Sequence, residues 1–297
     1  MFRSSLAPRI GRALFKQPSA SSLLPRRFLH AVPPLDASFS RDGVPGLLSV
    51  DGFNIAWTQY QHMMVQKLNL LLAESPGDLV IQPKAILEKY ARNPNQAPTF
   101  NHASMAHNNH FFFQTLSTMK KPRPIPSYLK LRLEESFSSM DTLEREFVNT
   151  ACAMFGPGFV WLMIDRSGKY KLLCTYLAGS PYAKAHFRRQ PVDMNTEDTS
   201  IPEAVRRANS QQPVNGVGAH GPSSGSKLQL PPGGAEFEPV LCINTWEHVY
   251  LRDYGVANKR KYVENWWKVI DWNVVAQNAG VQHLAPSGFG GSGAYRT

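Results

Sequence analysis

Downstream of Asp51 the apolar side chains return every three or four positions. Phe53, Trp57, Tyr60, Met64, Leu68 and Leu71 fall along one stripe of a helix, and the spacing predicts a long amphipathic helix capped by Asp51. Ser75-Pro76-Gly77 ends it. A second helix is expected from Pro83 to Ala91, and a third, starting after Pro98, carries TFNHASMAHNNHFFFQTL. Pro122, Pro124 and Pro126 then punctuate the chain before a further helical pair from Tyr128 to Phe155. At Gly156 the period changes. GFVWLMID and YKLLCTY, joined by RSGK, read as a hairpin, PVLCINTW as a third strand, and YVENWWKVIDWNVV as closing helices. This order predicts an α+β fold: an N-terminal helical hairpin domain at 36–122, then an α+β domain at 123–182 and 237–283 with a three-stranded antiparallel sheet.

Three stretches escape the pattern. Residues 183–236 are rich in Pro, Gly, Ser, Gln and Asn and are expected to be a disordered insertion, and 284–297 a flexible tail. Residues 1–35 contain Arg3, Arg9, Arg12, Lys16, Arg26 and Arg27 with no acidic residue, the composition of a mitochondrial transit peptide, with Arg27-Phe28-Leu29 as the expected cleavage region. A linker is expected over 32–45. The charge of the whole chain changes its meaning accordingly: loss of those six cations takes the formal net charge from +10 to +4.

The remaining composition mainly excludes. Hydrophobic residues make up 42% of 297, enough for a sizeable core, yet no run approaches the roughly 20 apolar residues that cross a bilayer, so no membrane partner is expected. Cys152, Cys174 and Cys242 are too few and too scattered for a zinc finger or a disulfide framework, and suit thiols in a reducing matrix. P-loop, dinucleotide and activated-nucleophile motifs are absent.

Candidate chemistry gathers in INTWEHVYLRDY, residues 243–254, where His248 stands beside Glu247, Trp246 and two tyrosines. Imidazole with a carboxylate nearby suits a metal site, and equally a partly buried histidine hydrogen-bonded to a neighbour. The longer stretch TWEHVYLRDYGVANKRKYVENWWKVIDWNVV resembles the closing signature of the iron/manganese superoxide dismutases. That family holds its metal with three histidines and an aspartate. The resemblance puts His110, in His107-Asn108-Asn109-His110, and His248 at two histidine positions, but Ala56 at the other and Asn244 at the aspartate. It also puts Tyr60, Met64, Leu251 and Gly179 where the family has a histidine, two tyrosines and, in one branch, a glutamine, and Gln114 at a tryptophan. Two imidazoles are fewer donors than proteins normally use for a catalytic transition metal. No cofactor and no enzymatic activity are therefore expected.

A matrix-directed dismutase fold without its metal set is similar to the dismutase-like proteins of the fungal mitochondrial small ribosomal subunit. The resemblance implies a structural role in that subunit and in mitochondrial translation, with ribosomal proteins and rRNA as partners and a dimer with a paralogous dismutase-like chain. A divergent mitochondrial dismutase is the alternative. Glu247 and His248 are the implied dimer-interface residues, Glu247 otherwise capping local backbone. Lys120, Lys121 and Arg123, Arg188-Arg189, Arg206-Arg207 and Lys259-Arg260-Lys261 are the candidate phosphate contacts. The last cluster is favoured because it opens a helix, although cations there oppose the helix dipole.

Overall fold

The computed structural model describes residues 29–91, 93–182, 185 and 237–280. The transit peptide up to residue 28, all of the 183–236 insertion but Ala185, and the 284–297 tail lie outside them.

The folded body begins earlier than the sequence suggests. His30 exchanges two hydrogen bonds with the Asn69 side chain, both 2.9 Å, and Val32 and Leu35 pack on the core. His30, Val32 and Leu35, within the segment expected at 1–35, thus contact the body. The expected linker at 32–45 contains a helix, α1 (Ala37–Asp42), capped by Asp36 and anchored by buried Phe39.

The first long helix comes in three pieces: α2 (Val50–Phe53), a π-helical turn (Asn54–Gln59) and α3 (Tyr60–Leu71). Its cap is Ser49, not Asp51. Ser49 Oγ accepts the Gly52 N–H at 3.0 Å, and Asp253 holds Ser49 by both its N–H and its hydroxyl. The π turn is wider than an α turn and carries an extra residue; beyond it Met64 and Leu68 stay buried as the plain period selects, while the two ends of the stripe differ. Gln61 and Leu72 are buried where the plain helical period selects Tyr60 and Leu71; Tyr60 is half-buried, and Leu71 is 40% exposed.

α3 packs on α5 (Ala97–Gln114), and α4 (Pro83–Tyr90) packs on α5 in turn, closing a small cluster of Leu68, Leu72, Leu79, Ile86, Leu87 and Phe100. α6 (Ser127–Phe137) and α7 (Met140–Ala153) are the expected helical pair. The sheet is antiparallel with order β2-β1-β3: β1 (Gly158–Asp165), β2 (Tyr170–Tyr176) and β3 (Phe237–Asn244). Its centre is β1, whose first six residues are all buried, because helices cover both faces. α8 (Glu247–Tyr254), α9 (Lys259–Trp267) and α10 (Trp272–Asn278) follow. Buried side chains from Phe39 to Ala276 form one cluster, with Phe147, Phe159, Trp161, Tyr262 and Trp266 among the largest. The fold class is the α+β arrangement the sequence predicts.

Candidate metal centre

Four elements carry the candidate positions. Ala56 lies in the π turn, His110 on α5, Asn244 at the end of β3 and His248 on α8. The chain turns sharply from β3 into α8, and Asn244 makes that turn: its Oδ1 accepts the Trp246 N–H at 2.9 Å. This fixes the amide, because a flipped Asn244 would set one donor against another. Its Nδ2 then points inward and donates to Asn109 Oδ1 at 3.1 Å. Asn109 Nδ2 in turn donates to Ala56 O at 3.2 Å and to Gln61 Oε1 at 3.1 Å, and Gln61 Nε2 donates to Ala106 O at 2.8 Å. Asn244, Asn109, Gln61, Ala56 and Ala106 are all buried. The backbone carbonyl of Asn244 is also satisfied, by the hydroxyl of Tyr262 at 2.8 Å.

The two histidines sit among aromatic rings. His248 stacks on Tyr60 with centroids 3.9 Å apart, and His110 lies 5.7 Å from Trp57. Burial lowers both pKa values to about 4, so both rings are neutral near pH 7, and neither Nε2 has a hydrogen-bond partner among the described residues. His107 is committed elsewhere: its Nε2 meets the Tyr182 hydroxyl at 2.7 Å, and burial lowers its pKa to about 3.

A model of the iron/manganese superoxide dismutases, C-terminal domain, matches residues 126–193 and 226–278. The fold is that of the iron/manganese superoxide dismutases. Small ribosomal subunit protein mS43 of Schizosaccharomyces pombe is 28% identical, over 84% of this chain and 83% of its own length. Small ribosomal subunit protein mS42 of the same organism is 27% identical over 67% of this chain and 71% of its own. An iron superoxide dismutase of Plasmodium falciparum is 22% identical over 78% of this chain and 87% of its own. The family match breaks between 193 and 226, inside the expected insertion.

The donors present do not fit the iron or manganese that this fold family implies. Ala56 offers no side-chain donor, and Asn244 turns an N–H inward, so no anionic ligand stands at that position. Among the described residues, no three His, Cys, Asp or Glu side chains group as a metal site would require. The surroundings have changed in kind as well. Met64 is buried, Leu251 is 38% exposed, and a side chain at Gly179 would meet Tyr176 O at 2.9 Å and Thr175 Cβ at 3.1 Å.

The sequence reading missed Gln61 and Asn109. Asn109 is adjacent to His110, but nothing local marks it as a hydrogen-bond hub. Gln61 is a polar residue on the buried face, four positions after Trp57, and the apolar stripe passes it over.

The other candidates separate by what holds them. Glu247 opens α8 half-buried and makes no hydrogen bond or ion pair among the described residues; α8 has no side-chain cap, so local capping is not what it does. Lys259 donates to Met154 O, the carbonyl ending α7, at 3.2 Å, and burial lowers its pKa. A cation placed badly for its own helix is thus placed well for the C-terminus of another. Arg260 reaches Asn149 at 3.5 Å and Glu264 at 4.0 Å, while Lys261 is exposed. Lys120, Lys121 and Arg123, between α5 and α6, are exposed and make no hydrogen bond or ion pair among the described residues. Arg188-Arg189 and Arg206-Arg207 lie outside the described residues.

Proposed function

We propose that this chain is a non-catalytic structural component of the small subunit of the mitochondrial ribosome, acting in the matrix in mitochondrial translation. The observation that carries the reading is the similarity to mS43 along most of both chains. The basic, acid-free N-terminal segment supports a mitochondrial address, with cleavage near Arg27-Phe28-Leu29. The neutral amide of Asn244 and the methyl of Ala56 at metal positions support the absence of dismutation, because that chemistry needs a bound ion that changes oxidation state.

The partner side of the reading uses two surfaces. Glu247, without a hydrogen-bond or ion-pair partner among the described residues, and His248 beside it form the face for a paralogous dismutase-like chain. Lys120, Lys121 and Arg123 contact rRNA phosphates, since exposed charges unpaired among the described residues are those available to displace counterions. The Lys259 cluster contributes less, as Lys259 is already bound to Met154 O.

Sucrose-gradient sedimentation of gently lysed mitochondria tests the function. Co-migration with the small ribosomal subunit, released by high salt, is the expected result. Migration near the top of the gradient, with dismutase activity in those fractions, would replace this reading with that of a divergent enzyme.

A further inference from the structure

In the dismutase fold the metal positions join separate chain segments, and binding free energy at such a site is also folding free energy. Here the π turn, α3, α5 and β3 are joined by something else. Followed from the Trp246 N–H, each bond runs in one sense: Trp246 N–H to Asn244 Oδ1, Asn244 Nδ2 to Asn109 Oδ1, Asn109 Nδ2 to Gln61 Oε1, Gln61 Nε2 to Ala106 O. Both ends are backbone groups, a donor at one and an acceptor at the other. No single amide in the series can flip without setting oxygen against oxygen and nitrogen against nitrogen.

We propose that Gln61, Asn109 and Asn244 form a metal-independent clasp that performs the cross-linking task of the lost ion, so that restoring the family's aspartate at position 244 weakens the fold instead of repairing a metal site. Asn244 is then a working residue, not a decayed ligand. A carboxylate at 244 could still accept the Trp246 N–H, but it would face Asn109 Oδ1 with no proton to give. Asn109 cannot turn to meet it, because its Nδ2 serves Ala56 O and Gln61 Oε1, and Gln61 is held by Ala106 O. The polar interior would be left with an unpaired acceptor and an unpaired charge. The inference does not depend on where the protein works, only on the donor directions in its interior.

Urea unfolding of the full mature chain tests it, on wild type, Asn244→Asp, Asn109→Leu and Gln61→Met, each in chelator and in excess manganese(II). At pH 7 the folding equilibrium constant of Asn244→Asp is expected to fall on the order of ten- to a hundredfold, equally with and without manganese. Facing an oxygen, the new carboxyl has a folded pKa above its unfolded value. Its deficit is therefore smallest below the unfolded carboxyl pKa of about 4, where the protonated acid can donate to Asn109, and grows as pH rises. Asn109→Leu is expected to lose as much with no such pH dependence relative to wild type. Gln61→Met breaks only the far end and keeps the test readable if the other two do not fold. Wild-type stability in Asn244→Asp, its rescue by manganese, or an unchanged Gln61→Met would each overturn the proposal.

Discussion

The aromatic scaffold around β1 and the polar centre near Asn244 lie in one continuous core, yet they answer to different constraints. In the scaffold, Phe147 packs 5.2 Å from Trp266 and Phe159 5.4 Å from Trp161, contacts that depend on volume and burial and not on any reaction. At the centre the identity of single polar atoms decides the chemistry. An amide at 244 and a methyl at 56 remove a metal set while leaving the surrounding helices and sheet in place. The difference teaches that a fold and a metal-ligand set can separate: packing preserves one, a few donor directions decide the other.

The comparison can be broken most severely in the scaffold. Trp266→Ala empties a fully buried site between α7 and α9 and is expected to cost about 3–5 kcal/mol, measured by urea unfolding. A smaller loss would mean the scaffold carries less of the stability than its burial implies.

Protonation probes the centre without a large change of shape. His110 and His248 have folded pKa values of about 4, below the unfolded value near 6.5. The unfolded chain therefore binds more protons between those limits. The stability these groups contribute is present above about pH 6.5 and is lost as pH falls toward 4, at no more than about 1.4 kcal/mol per pH unit for each histidine. His248→Gln is expected to flatten this part of the stability profile, and an unaltered slope would contradict the neutral, buried imidazole.

Smaller effects sharpen the contrast. Thr175→Val keeps the shape of the scaffold but leaves the Trp161 indole N–H, bonded to Thr175 Oγ1 at 2.9 Å, without its acceptor, for an expected loss of about 1–2 kcal/mol in the same unfolding assay. Arg252→Ala removes an exposed ion pair to Asp51 at 2.8 Å that bridges α8 and α2, and is expected to change stability by less than about 0.5 kcal/mol. A larger effect there would place stabilisation on the surface that the account assigns to the interior.

What could be read from sequence follows the same division. β1 and β2 match the stretches picked out by hydrophobic runs and the RSGK turn, because their information is local. Ala56 and Asn244 come to the ligand positions through the family resemblance, Asn244 by its place four residues before His248. The polar connections were not legible. Asn109 meets Gln61 across 48 residues and Asn244 across 135, and Lys259 finds Met154 O across 105; no local spacing encodes such pairs. The π turn was hidden for a related reason: the composition of Asn54–Gln59 suits an ordinary helix. Ser49 is the cap because Asp253, far along the chain, orients it.

The most direct test of the central claim is metal content and thermal midpoint measured together, on the mature chain produced with ample iron and manganese and then with and without chelator. The account predicts far less than one ion per chain and the same midpoint in both conditions. About one iron or manganese per chain, with a midpoint that drops on chelation, would contradict it.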